Sequence, residues 1–465
     1  MLKIERRYEM INKTIFREYD IRGIYDTDLF DEDAYKIGLA VGYKLNKYKI
    51  KEIVVGHDNR MSSPALTENL IRGLVQFGID VVNIGEATTP MVYFARIHLQ
   101  KMASIAVTAS HNPKEYNGFK ICFNGTNNAY GDEIRELYDI IVAGDFIFKG
   151  EMGAVNNVNI RDEYVKYILR DIHIDNPNLK VIYDCGNGTT SIIAPSIFER
   201  LNVKEKGIFN ISDANFPNHH PDPNVKANLD KLSKEVLKDK ADLGVAYDGD
   251  GDRVGLIDEN GRFVTCEEIM ILIWRDLVNR VGNKKTLYDV KCSKILADEL
   301  DKLGVEKVLN KTGNCFLQAK THELNVPFAG EESGHTIFTD RFGGFEDAIY
   351  TSLRIIEIVA NSGKSVSELL KGIKYYHTTP MMNYPTSEEK KQSVVETIKN
   401  YCISKGYNIN TIDGVKIIND NSSALFRASN TSPNITYRYE ATTEEELKKL
   451  ENEFNALLDE ISKND

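Results

Sequence analysis

The stretch "DGDGDR", residues 248–253, alternates the carboxylates Asp248, Asp250 and Asp252 with Gly249 and Gly251 directly after the apolar run "LGVAY". Glycine admits backbone angles that other residues avoid, so a short loop can turn all three carboxylates toward one point. Like charges that close repel unless a cation sits among them. One alternative is a calcium loop of the EF-hand kind, because Glu259 falls at its twelfth position. Position six, however, is Arg253 where such a loop needs glycine, and "VGLIDENGRF" reads as a hairpin turning at Glu259, Asn260 and Gly261. A solvated acidic turn is the other alternative. Three carboxylates on one hard cation leave open positions, the arrangement magnesium uses when a phosphate oxygen completes its shell.

A phosphorylated serine would supply that oxygen, and "IAVTASHNP", residues 105–113, offers one. The apolar run reads as a strand that stops in a loop, with Pro113 preventing a smooth continuation. Ser110 and His111 thereby stand where loops of α/β sheets meet ligands. A turn whose Ser and Asn satisfy backbone groups would look the same locally. "GEESGH", residues 330–335, places Glu331, Ser333 and His335 on alternate positions, which in an extended loop face one way and can read adjacent hydroxyls. Its plain alternative is a surface turn with cap residues. "RASNTSPN", residues 427–434, joins the cation Arg427 to Ser429, Asn430 and Thr431. That is the composition of a loop that holds a phosphate, or of a helix N-cap cluster.

Repeating elements position these loops. Three segments, beginning "EIVVGHDNR", "LKVIYDCGN" and "KTLYDVKCS", share one rhythm of β-branched run, polar loop, amphipathic stretch and second apolar run. Strand, loop, helix and strand in that order imply mixed, mostly parallel sheets covered by helices, with ligand-facing loops at the carboxyl ends of strands. From about residue 375 the pattern changes to helix, several strands and a closing helix, an α+β unit. The expected organisation is three related α/β domains (1–152, 153–260, 261–374) and a C-terminal α+β domain (375–465) around a central cleft. The length of 465 residues accommodates them, and a net charge of -11 argues against a nucleic-acid surface. Six scattered cysteines without a C-x-x-C pair read as reduced core thiols. The N-terminal stretch lacks a signal-peptide pattern and no window approaches a membrane span, so a cytoplasmic location and no membrane partner are expected.

"FREYDIRG" (residues 16–23), "TASHNPKEYNGFK", "DGDGDR", "GEESGH" and "RASNTSP" occur in an order and at a spacing that resemble the α-D-phosphohexomutase superfamily, in particular its phosphomannomutase/phosphoglucomutase branch, over essentially the whole chain. The resemblance implies that Ser110 carries a phosphoryl group and that Asp248, Asp250 and Asp252 hold magnesium, with the phosphate on Ser110 as a further ligand. It implies that Glu331, Ser333 and His335 grip sugar hydroxyls and that Arg427, Ser429, Asn430 and Thr431 bind the phosphate not being transferred. Tyr19, Arg22, His111, Lys120, Arg253 and Lys291 match further cleft positions. The implied reaction interconverts a hexose 1-phosphate and 6-phosphate through a 1,6-bisphosphate, with small sugar phosphates as partners and a monomer as the expected state, a dimer remaining open. Lys120 is the expected acid or base, its pKa lowered by burial among cations, and Arg253 orients and stabilises. Two positions depart from the branch pattern: Asn314 follows "KTG" where histidine is common, and Glu332 stands where relatives often carry an apolar or amide residue. Rival readings are a phosphoglucosamine mutase, whose phosphate loop typically reads "RPSGTEP", and a catalytically silent sugar-phosphate binder.

Overall fold

The computed structural model describes residues 11–125, 127–144, 150–429 and 433–464. The first sheet comprises β1 (Ile21–Ile24), β2 (Glu52–His57), β3 (Asp80–Glu86), β4 (Ala103–Val107), β5 (Tyr116–Cys122) and β6 (Val155–Asn157), in the order β1-β5-β4-β2-β3-β6. The second has β7 (Lys180–Asp184), β8 (Lys204–Ile208), β9 (Leu243–Tyr247), β10 (Val254–Asp258) and β11 (Phe263–Val264), ordered β11-β10-β9-β7-β8. The third has β12 (Lys285–Asp289), β13 (Glu306–Asn310), β14 (Phe328–Gly330) and β15 (Thr336–Phe338), ordered β13-β12-β14-β15.

One topology recurs in all three. A first strand (β2, β7 or β12) pairs in parallel with the next strand on one side and with the one after it on the other. That last strand then returns through an antiparallel neighbour, β5, β10 or β15. The central strands are apolar because helices cover both faces of the parallel part, as β9 and β4 show by being buried along their whole length. Each sheet is therefore parallel at its centre and antiparallel at one margin, the mixed α/β architecture expected.

The fourth domain contains β16 (His377–Thr378), β17 (Met382–Pro385), β18 (Ile409–Asn410), β19 (Val415–Ile418), β20 (Ser422–Ala428) and β21 (Asn434–Ala441). All its pairings are antiparallel, and the helices Lys391–Ser404 and Glu444–Asn464 pack on the sheet.

Two boundaries fall later than the sequence pattern suggested. β6 lies beyond residue 152 yet pairs with β3, and β11 lies beyond residue 260 yet pairs with β10. β6 is exposed throughout and carries no hydrophobic period that marks a strand, whereas β11 is the return arm of the hairpin expected in "VGLIDENGRF", which extends past residue 260 as that hairpin requires. One apolar core runs through the first three domains, from Val54 past Val245 to Ile373, and a second, around Ile105 and Phe119, belongs to the first domain alone; the fourth domain shares neither, its core lying around Phe426, Tyr439 and Phe454. All six cysteines are buried and unpaired. Among the described residues no helix is long and apolar enough to cross a membrane.

Candidate active site

Each signature loop joins the strand pair at its sheet's antiparallel turn: β4 to β5, β9 to β10, β14 to β15 and β20 to β21. Ser110 lies in the first, only 1% exposed, with a left-handed φ of 52°. Its amide donates to Thr108 Oγ1 (2.9 Å) and its hydroxyl to Asp248 Oδ2 (2.7 Å). His111 Nδ1 lies 3.3 Å from the same hydroxyl. The second loop comes close because Gly249 has no side chain: a Cβ there would sit 2.5 Å from the carbonyl oxygen of Ser110.

The Asp248 carboxylate is divided between two tasks. Oδ1 accepts from the amides of Gly251, Asp252 and Arg253 at 3.0–3.1 Å, which folds the loop, and Oδ2 faces Ser110. Asp250 Oδ2 accepts from Thr89 Oγ1 (2.6 Å), Thr108 Oγ1 (3.2 Å) and Lys120 Nζ (2.7 Å), and Lys120 Nζ also reaches Asp252 Oδ2 (2.5 Å). Burial, reinforced by Asp252 and Asp250, pushes the Asp248 carboxyl well above its ordinary range. Burial raises Asp252 too, but Lys120 and His335 outweigh it and hold that carboxyl well below its usual value.

The trio fits a metal ion on structural grounds. One oxygen from each of Asp248, Asp250 and Asp252 lies within 4.8 Å of the others, all three residues being buried. Asp250 Oδ1 is buried without a hydrogen bond, a costly state for a carboxylate unless a cation meets it, while Asp252 Oδ1 has only His335 Nε2 at 3.3 Å. An all-oxygen donor set with room for further ligands suits a hard divalent cation.

Above this floor lies a cavity of about 360 Å³. It is lined by ten of the expected residues, Tyr19, Arg22, Ser110, His111, Lys120, Arg253, Lys291, Glu331, Ser333 and His335. Arg22 Nη1 donates to Asn112 Oδ1 (2.7 Å) and Nη2 pairs with Asp20 (2.5 Å). Burial raises the Tyr19 phenol and, with Arg253 and Arg22, holds His111 well below its usual pKa, so this imidazole is neutral. The third loop meets the second through an isolated bridge between Arg253 and His335.

Lys120 differs from expectation. Burial lowers its pKa, but Asp250 and Asp252 override that and hold it well above the ordinary lysine value. Its nearest charges are carboxylates rather than cations, so it stands as an ammonium suited to donating a proton and to balancing charge.

Asn314 does face the cavity, as the first residue of the helix Asn314–Leu324, and Glu332 Oε2 pairs with Lys291 Nζ at 2.7 Å. Arg427 and Ser429 are buried in the fourth domain and do not line this cavity; Arg427 Nε donates to Asp413 Oδ2 (3.1 Å) while its Nη2 has no hydrogen bond. Asn430 and Thr431 lie outside the described residues. The cavity also uses residues that sequence reasoning did not single out, among them Arg17, Asp20, Asn112, Asn128 and Thr312. Arg17, Asp20 and Asn112 stand inside quoted motifs and Thr312 inside the "KTG" before Asn314, so adjacency was the available signal, whereas Asn128 stands in an unremarkable polar stretch.

Four family models cover the chain in succession: phosphoglucomutase/phosphomannomutase alpha/beta/alpha domain I over residues 13–147, domain II over 162–261, domain III over 265–376 and the C-terminal domain over 381–457. A phosphomannomutase/phosphoglucomutase of Pseudomonas aeruginosa is 37% identical over 441 residues, covering 95% of this chain and 94% of the relative. A phosphoglucomutase of Neisseria gonorrhoeae is 34% identical, covering 97% of each chain. A crystal structure of a phosphoglucomutase/phosphomannomutase family protein from Burkholderia thailandensis superposes with a TM-score of 0.90 at 34% identity, covering 97% of this chain and 98% of that one. The protein belongs to the phosphoglucomutase/phosphomannomutase family and is an enzyme of the phosphohexomutase class.

Proposed function

We propose that the enzyme interconverts the 1- and 6-phosphates of mannose and glucose with Ser110 as the phosphoryl carrier. The observation that carries this is the Ser110 hydroxyl, held 2.7 Å from Asp248 at the edge of a cavity walled by cations and by the Glu331–His335 loop. In the forward half-reaction the bond from Ser110 Oγ to phosphorus breaks as the sugar hydroxyl forms its own bond to that phosphorus, giving a hexose 1,6-bisphosphate. Once the bisphosphate has turned in the cavity, its other phosphoryl returns to Ser110. Lys120 and Arg253 stabilise charge on the transferring group, where positioning and electrostatics do most of the catalytic work. Lys120 can give a proton to the departing serine oxygen and take up the one the sugar hydroxyl releases, so the step is proton-neutral overall. His111 stays neutral beside Ser110. Glu331, Ser333 and His335 orient the ring hydroxyls, while Lys291 and the Arg427–Thr431 loop hold the phosphate that is not transferred. Magnesium on Asp248, Asp250 and Asp252 would neutralise phosphoryl charge as a Lewis acid.

The test is kcat/KM for mannose 1-phosphate, glucose 1-phosphate and glucosamine 1-phosphate, side by side, with magnesium and a trace of glucose 1,6-bisphosphate. Comparable turnover of the first two with little on the amino sugar is expected. Preference for the amino sugar would move the enzyme to the phosphoglucosamine branch, and no turnover would make it a silent binder. Ser110→Ala should abolish turnover with the fold unchanged by circular dichroism, and near-normal activity in that variant would end the carrier assignment.

A further inference from the structure

Arg60, in the polar loop after β2, is 1% exposed and does not line the cavity. A guanidinium has five N–H donors in a fixed plane, and here each has its own acceptor. Nε donates to Asp58 Oδ2 at 3.0 Å. Nη1 donates to the carbonyls of Pro113 (2.6 Å) and Tyr116 (3.1 Å), and Nη2 to those of Ser110 (2.7 Å) and Asn112 (2.7 Å). Four of the five acceptors are thus backbone carbonyls of the serine loop. Asp58 is itself fixed by the Arg60 amide (3.0 Å) and the Ser63 hydroxyl, and its own amide donates to Val107 at the end of β4 (2.9 Å). The Phe216 ring of the second domain lies 5.6 Å from the guanidinium carbon.

These bonds begin where the sheet's own ladder ends. β4 and β5 pair as far as Val107 opposite Phe119, followed by the Thr108 amide on the Gly118 carbonyl (3.0 Å). Beyond that point Ser110 adopts a left-handed φ that L-residues with a side chain seldom take. The loop's other ties here include the Ser110 amide on Thr108 Oγ1 (2.9 Å), the Asn112 amide on the Ala109 carbonyl (2.9 Å) and Arg22 on Asn112 Oδ1 (2.7 Å), and none of them holds the carbonyls of Ser110, Asn112, Pro113 and Tyr116 together as the Arg60 guanidinium does.

We propose that Arg60 is a positioning residue for the phosphoryl-carrying serine, acting through the carbonyls of Ser110, Asn112, Pro113 and Tyr116. The proposal rests on the reading of Ser110 as carrier. Lysine cannot replace it: an ammonium has three donors and no plane, so at least two of the five acceptors lose their partner.

The test uses the full chain with Arg60→Lys, and Asp58→Asn as a second variant that keeps the size and an acceptor oxygen in case the first does not fold. Measured are kcat and KM for glucose 1-phosphate, amide hydrogen exchange over residues 110–116, and Tm. A serine misplaced by about 1 Å costs roughly 100-fold in rate, so kcat should fall on that order in Arg60→Lys and less in Asp58→Asn. KM should stay within a few-fold, and exchange should quicken over residues 110–116 while β4 and β5 keep their protection. Wild-type kcat, or faster exchange across the whole first sheet with activity tracking the folded fraction, would overturn the proposal and leave Arg60 an ordinary core residue. Ser110→Ala run alongside separates the two ideas: if it still turns over, the carrier reading falls, and the exchange pattern alone judges the hold of Arg60 on the loop.

Discussion

His335 sits among three charges. Its Nδ1 is 2.9 Å from Glu331 Oε2, its Nε2 is 3.3 Å from Asp252 Oδ1, and Arg253 Nε lies 3.2 Å from that same nitrogen. Burial and Arg253 pull its pKa down, but Asp252 and Glu331 prevail and lift it to about 9. The folded-state value is above the ordinary one, so the charged contacts are complete below about 6.5 and are lost as pH rises through about 9. An activity profile should therefore hold through neutral pH and decline near 9 as the Glu331–His335 pair loosens. In His335→Gln that alkaline decline should vanish, and kcat/KM at neutral pH should drop about 10-fold, the scale of one charge-assisted hydrogen bond. Persistence of the same decline in the variant would assign it to another group. Residues of this kind were legible in sequence because Glu331, Ser333 and His335 stand together in six positions. Arg60 was not, since its four carbonyl acceptors lie some fifty positions downstream, and neither was the reversal of the Lys120 shift, which depends on carboxylates from another domain.

At the scale of elements, the strand–helix–strand rhythm revealed the parallel centres of three sheets, and the motifs marked the ends of β4, β9, β14 and β20. What the rhythm could not reveal was that each motif sits in an antiparallel return, because β5, β10 and β15 read as ordinary apolar runs whose direction is fixed only by tertiary pairing. The helix Ala348–Ser362 shows a second non-local effect. Its N-cap, Asp347, accepts from the Tyr350 amide (2.9 Å) and from the phenol of Tyr164 (2.7 Å), which lies on the helix Arg161–Leu169. Burial pushes the Asp347 carboxyl to about 7, against hydrogen bonds that pull the other way, and burial also lifts neighbouring Glu346 to about 7. Between about pH 4 and 7 the folded chain then keeps protons that the unfolded chain has released, so stability falls as pH rises through that window. Asp347→Asn retains an accepting oxygen but cannot ionise. The fall in Tm from pH 5 to 7 should shrink by about half, with Glu346 supplying the remainder. An unchanged slope would show that Asp347 does not titrate in this window.

For the whole molecule the decisive contrast lies between two kinds of domain interface. The first three domains share a continuous apolar core, which resists opening because exposing it costs roughly 25 cal/mol per Å². The fourth domain has a separate core and meets the third through hydrogen bonds: Lys416 Nζ to the carbonyls of Val290 and Cys292 (2.7 Å each), Arg438 Nη2 to that of Lys291 (2.5 Å), the Lys294 amide to Glu440 Oε2 (3.0 Å), and the Thr312 amide to Asp413 Oδ2 (3.0 Å). Polar contacts of this sort exchange with water at little net cost, so this domain is the one able to swing, as the turning of a bisphosphate in the proposed reaction would require. Lys416 is 6% exposed, and burial lowers its pKa. Its two acceptors flank Lys291, whose side chain enters the cavity, so docking of the fourth domain and placement of a cavity cation are one event. Lys416→Met should leave the first three domains as stable as before while weakening that docking by one or two charge-assisted hydrogen bonds, which corresponds to a KM for glucose 1-phosphate raised about 10-fold or more. Kinetics and scanning calorimetry on the same samples check this. A raised KM with an unchanged main transition is expected, whereas unaltered KM, or loss of the main transition itself, would mean that Lys416 supports the body of the fold and not the closure of its fourth domain.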